Sequence, residues 1–371
     1  MHQLPEQILI GIQLGSIYAL IALGYTMVYG VLKLINFAHG DVYMVGAYTG
    51  LGAATVLGTW LPSHLHLRLL PSPLGALLIL LSAMVICALL GLIIEQAAYR
   101  PLRTRSWFMP SLFIGGAAGY VAYGIAIDAN RTPASAIAIG IGVWIALGAL
   151  LRTTQKRRVL GTSSRLTALI TAIGVSLFLE NFGLLPQIFS SESRFFQTEQ
   201  IVTLPPRFHF GSVSFGVQTL VIFGLSLSLM AILTYIVTRT RIGKAVRAVS
   251  FDADAASLMG INTGTVIAFT FALGAALAGA AGVMVTGLTG TEFKPDVGIQ
   301  IGLKAFVAAV LGGIGNIPGA MVGGLIMGLA ETLVVAYGPS TYRDAVAFFL
   351  LIVILLFRPT GLFGKSTPEK V

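Results

Sequence analysis

Long apolar runs that alternate with short polar connections constrain this chain more than any single motif. Hydrophobic residues make up 56% of its 371 residues and charged residues only 10%, which is more apolar surface than a soluble core hides. Runs of roughly 17 to 25 apolar residues span a bilayer as helices, and lipid requires their backbone hydrogen bonds to close internally. The pattern predicts an all-α, polytopic transmembrane helix bundle with about 9–11 membrane segments. The apolar segments lie near 8–31, 40–58, 75–95, 110–127, 135–151, 168–189, 216–238, 265–288, 298–312, 319–337 and 343–357.

Basic residues predict the orientation of these segments. The formal net charge is +9, but in a membrane protein Lys and Arg indicate the cytoplasmic side before they indicate nucleic acid. An amino terminus outside and a carboxyl terminus in the cytoplasm place most basic residues inside. These are Lys33, Arg100, Arg103, Arg105, Arg152, Lys156, Arg157, Arg158, Arg165, Arg239, Arg241, Lys244, Arg247, Arg358, Lys365 and Lys370.

Several kinds of site are not expected. The single cysteine, Cys87, has no disulfide partner in the chain, and the five histidines lack metal-ligand spacing. The Gly364-Lys365-Ser366 triplet lacks the first glycine and the strand–helix context of a phosphate-binding loop. We therefore predict no catalytic residues, no metal and no cofactor bound by this chain.

Glycine pairs at four-residue spacing predict close helix packing, because two helix backbones approach closely where side chains are small. The chain has 44 glycines. The pairs at this spacing are Gly11/Gly15, Gly46/Gly50, Gly115/Gly119, Gly319/Gly323 and Gly324/Gly328.

The stretch 239–262 is too polar to span a membrane and too patterned for a simple linker. It predicts two short helices on the inner face, with Ser250 or Asp252 capping the second and Gly260 ending it. Ala245 and Ala248 would offer a small-residue face to a groove on a soluble partner. A basic loop resting on anionic lipid is the alternative.

Ionisable groups inside apolar segments are candidates for function because lipid makes them costly. Lys304 and Glu331 fall at similar depth, and we favour a structural ion pair over substrate contact. Glu180 with Asn181 is a second candidate. Asn36, His39, Gly40 and Asp41 form a third, either a broken helix facing a cavity or a rigid turn on the inner face.

The 239–262 stretch contains the motif Gly243-Lys244-Ala245-x-Arg247-Ala248, with Asp252 and Leu258-Met259-Gly260-Ile261 after it. This motif resembles the ATPase-coupling loop of branched-chain amino acid ABC transporter permeases. Further similar blocks lie at 14–20, 24–30, 35–41, 99–101, 172–176 and 309–315. The resemblance covers nearly the whole chain. It implies that residues 1–371 form a single transmembrane permease domain. One departure is an apolar stretch at 106–161, read as an inserted transmembrane hairpin.

The resemblance implies a permease subunit of a binding-protein-dependent importer of branched-chain amino acids in the bacterial inner membrane. Implied partners are ABC ATPase subunits that use ATP, a second identical or related permease chain, an external substrate-binding protein and membrane lipid, without nucleic acid. Alternatives are a permease for urea, amides or other amino acids, and an ion-coupled transporter or channel. The expected coupling residues are Arg241, Gly243, Lys244, Ala245, Arg247, Ala248, Asp252, Ala256, Leu258 and Gly260. The expected substrate pathway comprises Asn36, His39, Gly40, Asp41, Glu180, Asn181, Lys304 and Glu331.

Overall fold

The computed structural model describes residues 4–65, 70, 72–101, 165–183, 208–210, 213–288 and 297–364, with isolated positions between 135 and 146. Most of the predicted hairpin at 106–161 lies outside these residues, so that prediction stands as made. The chain divides into two compact units, one formed by Met1–Leu92 with Ala172–Val371 and the other by Ile93–Thr171. The candidate sites below lie in the first unit.

Helices make up nearly all of the described chain. We number them α1 (Leu4–Leu32), α2 (His39–Thr55), α3 (Leu61–Leu65), α4 (Pro73–Ile94), α5 (Arg165–Gly183), α6 (Val217–Arg239), α7 (Arg241–Phe251), α8 (Ala253–Leu258), α9 (Thr263–Val283), α10 (Val297–Gly312), α11 (Ile317–Tyr337) and α12 (Arg343–Phe357). π-Helical turns follow α2, α4 and α9 at Val56–Trp60, Glu95–Tyr99 and Met284–Leu288, and a 3-10 turn at Ser340–Tyr342 precedes α12. Strands β1 (Phe208–Phe210) and β2 (Val213–Phe215) pair antiparallel.

The predicted membrane architecture is confirmed. Within the described residues, six helices are long and apolar enough to cross a membrane, and two shorter apolar helices occur at Ala168–Gly183 and Val297–Gly312. Nine of the predicted apolar segments coincide with helices of the structure. The other two, at 110–127 and 135–151, fall almost entirely outside the described residues.

Helix α1 lies at the centre of the larger unit. It packs along α11 and also contacts α6, α9 and α10. Side chains from Ser16 to Val28 are nearly all buried around its whole circumference, which is expected of a helix enclosed by others rather than by lipid. The outer helices α4, α6 and α12 expose apolar side chains instead, and lipid would cover these surfaces.

The close helix packing predicted from the glycine pairs is confirmed for the pairs that the structure describes. A Cβ added at Gly15 would lie 2.7 Å from Leu325 Cα, and one added at Gly324 would lie 2.5 Å from Ala19 Cα. The backbones of α1 and α11 therefore approach too closely for larger side chains. Gly46 of α2 faces Gly279 of α9 in the same way. The pair Gly115/Gly119 lies outside the described residues.

The connection from α1 to α2 turns back along α1. Lys33 has a positive φ of 56° directly after the end of α1. The His39 ring then lies against Gly24, where an added Cβ would overlap the imidazole. Because Gly24 precedes the end of α1 by eight residues, α2 begins about 12 Å inside that end. The start of α2 is consequently enclosed by protein, and His39, Gly40 and Asp41 are all buried.

Candidate functional site

The stretch 239–262 forms the two short helices predicted for it, α7 and α8. The Gly243 amide donates to Thr240 Oγ1 at 3.0 Å, which caps α7. Asp252 Oδ1 accepts from the Asp254 and Ala255 amides at 3.0 and 2.9 Å, so Asp252, and not Ser250, caps α8. Gly260 follows α8 with a φ of 83°, the left-handed conformation expected after a helix end.

Helix α7 is bound to the ends of two membrane helices. Gly243 packs on the last turn of α6, where an added Cβ would lie 2.6 Å from the Val237 carbonyl carbon. Arg247 Nη1 donates to the Val237 carbonyl oxygen. Ser250 Oγ donates to the Gly30 carbonyl at 2.5 Å, near the end of α1. A displacement of α7 would therefore act on both α6 and α1.

Three large apolar side chains of this stretch are almost fully exposed. Phe251, Leu258 and Met259 are 94%, 87% and 82% exposed, and we refer to them as the apolar patch. Of the predicted coupling residues, Leu258 belongs to the patch, and Arg241, Lys244, Arg247, Asp252 and Gly260 are exposed.

The small residues of the coupling prediction lie elsewhere. Ala245 and Ala248 are half-buried, while Gly243 and Ala256 are buried. The exposed surface of the stretch therefore combines the apolar patch and charged side chains with Ala253 and Ala255, whereas Ala245 and Ala248 are only partly exposed. Met259 lies in the block that resembles the ATPase-coupling loop but was not among the expected coupling residues, and Phe251 was in neither. Apolar residues at the ends of short helices in a polar stretch could have indicated both.

A buried ion network joins four helices around Glu331. Glu331 has no exposed surface, and it accepts from Tyr18 Oη at 2.7 Å and Lys304 Nζ at 3.0 Å. Arg343 Nε also donates to it, and Lys304 pairs with Asp344 at 2.7 Å. The predicted pairing of Lys304 with Glu331 is confirmed. Tyr18, Arg343 and Asp344 were not predicted, since they come from other helices.

A second buried polar group lies at the start of α2. Asp41 has no exposed surface, and its Oδ2 accepts from Ser176 Oγ of α5 at 2.5 Å. Its Oδ1 has no hydrogen-bond partner. Glu180, one helical turn after Ser176, lies close enough to interact with the charge of Asp41. The structure thus brings together Asp41 and Glu180, two residues predicted from separate blocks.

The remaining predicted pathway residues make local contacts, and their part in a substrate pathway stays a prediction. The His39 ring makes an edge contact with Tyr25, with 4.8 Å between centroids, and its Nε2 has no partner. Asn36 is buried, and its carbonyl accepts from the His39 amide at 3.1 Å. Asn181 is exposed and donates to the Leu177 carbonyl one turn earlier. Among the hydrogen bonds and ion pairs of the described residues, none joins the Asp41 group to the Glu331 network.

The bundle and its buried polar groups define a polytopic α-helical membrane protein. Within that class, the chain belongs to the family described as branched-chain amino acid transport system / permease component, whose model matches residues 7–355. The resemblance noted in the sequence is thereby confirmed.

Named relatives agree with this family. The chain is 38% identical to the high-affinity branched-chain amino acid transport system permease protein BraD of Pseudomonas aeruginosa, over 99% of this chain and 97% of the relative. It is 37% identical to LivH of Escherichia coli K12, a permease protein of the same description, with the same coverage. A ribose import permease protein, RbsC of Haemophilus influenzae, is 30% identical over 37% of this chain and 44% of its own length. No solved structure matches the chain.

Proposed function

We propose that this chain is the transmembrane permease subunit of a binding-protein-dependent ABC importer that moves branched-chain amino acids inward. Family membership supports the permease role, and the names of the relatives BraD and LivH support the substrate class. The observation that carries the coupling mechanism is the apolar patch of Phe251, Leu258 and Met259, held on a stretch anchored to two membrane helices.

The apolar patch fits a groove on a soluble ATPase subunit. Large apolar side chains exposed in a polar stretch outside the membrane are costly in water, and they mark a protein contact. A short helix that inserts its apolar residues into a groove is a recurrent recognition mode. Arg241 and Lys244 are exposed on the adjoining α7, so they would add attraction to acidic residues at the rim of the groove.

In this proposal, ATP is bound and hydrolysed by the partner subunit, and this chain binds no cofactor. The 239–262 stretch lies on the cytoplasmic side, with the amino terminus outside and the carboxyl terminus inside, in agreement with the basic residues. ATP-driven closure of two ATPase subunits would displace α7 of this chain and of a second permease chain. The complex would lie in the inner membrane of a bacterium, and an external binding protein would deliver the substrate to it.

Copurification tests the coupling role. The double substitution Leu258→Ser with Met259→Ser should reduce capture of the ATPase subunit by the tagged permease by about tenfold or more, because it removes two apolar anchors of the contact. Ser257→Ala is the matched control, since Ser257 is exposed on the same helix but lies outside the patch. Full ATPase capture and full uptake by the double variant would refute docking through this patch.

Competition in uptake tests the substrate class. Proteoliposomes that contain the assembled complex and its binding protein should accumulate labelled leucine when supplied with internal ATP. Unlabelled isoleucine and valine should compete, and a tenfold excess of urea or acetamide should not. Competition by urea or acetamide, without competition by isoleucine and valine, would instead indicate a permease for urea or amides.

A further inference from the structure

We propose that the Asp41 carboxylate, with Glu180 beside it, binds the ammonium group of the transported amino acid. The inference rests on the proposed function and adds a substrate-binding position to it. Asp41 Oδ1 is buried in the bundle and has no hydrogen-bond partner. An acceptor left open in a membrane bundle is costly unless something else binds it.

The charge around Asp41 favours a cationic ligand. Ser176 occupies Oδ2 with a neutral hydroxyl, which leaves the carboxylate charge uncompensated. Glu180 is a second acidic side chain on α5, one helical turn after Ser176. Across the described residues, no basic side chain is bonded to either carboxylate, whereas Glu331 has both Lys304 and Arg343. A buried acid with a half-buried acid near it, and no cation bonded to either, can be balanced by a ligand that brings one.

The surrounding backbone fits the other charge of an amino acid. Asp41 lies in the first turn of α2, and Gly298 of α10 packs directly against it. A Cβ added at Gly298 would lie 3.1 Å from Asp41 Oδ1. Helix amino termini carry partial positive charge and bind carboxylates. An acceptor for ammonium beside a helix start for carboxylate matches a zwitterion, whose two charged groups are one carbon apart.

The helices that form this position are suited to open and close around a ligand. Asp41, Ser176 and Gly298 belong to three different helices, α2, α5 and α10. Gly40 and Gly298 approach closely enough that a Cβ on Gly298 would lie 3.0 Å from the Gly40 carbonyl oxygen. A small separation of α10 from α2 would therefore expose Oδ1 without breaking the bond between Asp41 and Ser176.

Equilibrium binding to the purified complex, without the binding protein, tests the assignment. The probe is labelled leucine, and 4-methylpentanoate is the competitor that lacks the ammonium group. Asp41→Asn keeps the shape of the side chain and removes its charge, so we expect leucine affinity to fall about tenfold or more. Glu180→Gln should weaken binding by a smaller factor of about three, because Glu180 acts at longer range. Thr49→Val is the matched control on α2, since the Thr49 hydroxyl bonds only to the Val45 carbonyl of its own helix.

The outcomes separate this proposal from its rivals. Competition by 4-methylpentanoate equal to that by unlabelled leucine, or unchanged affinity in both Asp41→Asn and Glu180→Gln, would overturn it. Leucine binding or uptake that requires sodium in the wild type, and loses that requirement in Asp41→Asn, would instead assign the site to an inorganic cation. If Asp41→Asn fails to assemble, Glu180→Gln decides alone, because Glu180 makes no hydrogen bond or ion pair among the described residues. A wild-type complex that assembles with its ATPase but transports no leucine would refute the proposed substrate and not the position of a cation site.

Discussion

Glu331 shows how a buried carboxylate, which is costly in lipid, is retained inside a membrane bundle. Its carboxylate is satisfied by a phenol, an ammonium and a guanidinium from three different helices. The four charged members, Lys304, Glu331, Arg343 and Asp344, balance to zero. This full compensation favours a structural role over substrate contact, in line with the interpretation favoured from the sequence, and contrasts with the open position at Asp41.

Removal of the Glu331 charge tests that structural role. Glu331→Ala should lower the free energy of unfolding by about 3–5 kcal/mol, because Lys304 and Arg343 would be left near one another without their shared partner. Thermal unfolding of the detergent-solubilised complex measures the change. Tyr18→Phe removes one hydrogen bond to the same carboxylate and should cost about 1.5–3 kcal/mol. Equal stability of Glu331→Ala and wild type would contradict a structural network.

Close helix packing depends on the positions of the glycines and not on their number. Gly15 faces the α11 backbone, whereas Gly52 of α2 has no neighbouring atom within 4 Å of an added Cβ. Both residues occur in apolar helices with many glycines nearby. Their expected tolerance of substitution is opposite.

Alanine at these two positions gives a direct comparison. Gly15→Ala should destabilise the bundle by about 1–3 kcal/mol, since its Cβ would lie 2.7 Å from Leu325 Cα and would force α1 and α11 apart. Gly52→Ala should be neutral or stabilise by up to about 1 kcal/mol, because it only reduces backbone freedom in the unfolded chain. Unfolding temperatures in detergent would show the difference. A similar loss at both positions would mean that glycine flexibility, and not close packing, matters in α1.

The molecule as a whole provides a continuous route from the 239–262 stretch into the bundle. Ser250 ties α7 to the Gly30 carbonyl of α1, α1 packs without intervening side chains on α11, and Tyr18 of α1 reaches Glu331 of α11. A movement of α7 would thus displace the central helix α1 as well as the outer helix α6.

Substitution of Ser250 tests transmission separately from docking. Ser250→Ala should leave ATPase capture intact, because Ser250 is not part of the apolar patch. Uptake per ATP hydrolysed should fall about two- to tenfold, since the lost hydrogen bond contributes about 0.5–1.5 kcal/mol to holding α7 on α1. Uptake and hydrolysis measured in the same proteoliposomes give this ratio, with Ser257→Ala as control. An unchanged ratio would place transmission in the contact between α7 and α6.

The class of protein, the membrane segments that the structure describes and the local structure of the 239–262 stretch could all be predicted from the sequence. Each of these depends on neighbouring residues: hydropathy over about twenty positions, charge between segments, and the Asp252 and Gly260 signals at helix ends. The pairing of Lys304 with Glu331 was also accessible, because two lone charges at similar depth on consecutive helices require one another.

Which side chains share a site became known only from the tertiary structure. Asp41 and Ser176 are separated by 135 positions, and Tyr18 and Glu331 by 313, so no local pattern relates them. The tertiary structure also decided that Phe251, Leu258 and Met259 are exposed while Ala245 and Ala248 are half-buried. The outward face of α7 and α8 follows from how α7 is bound to α6 and α1, and those contacts arise only when distant helices pack together.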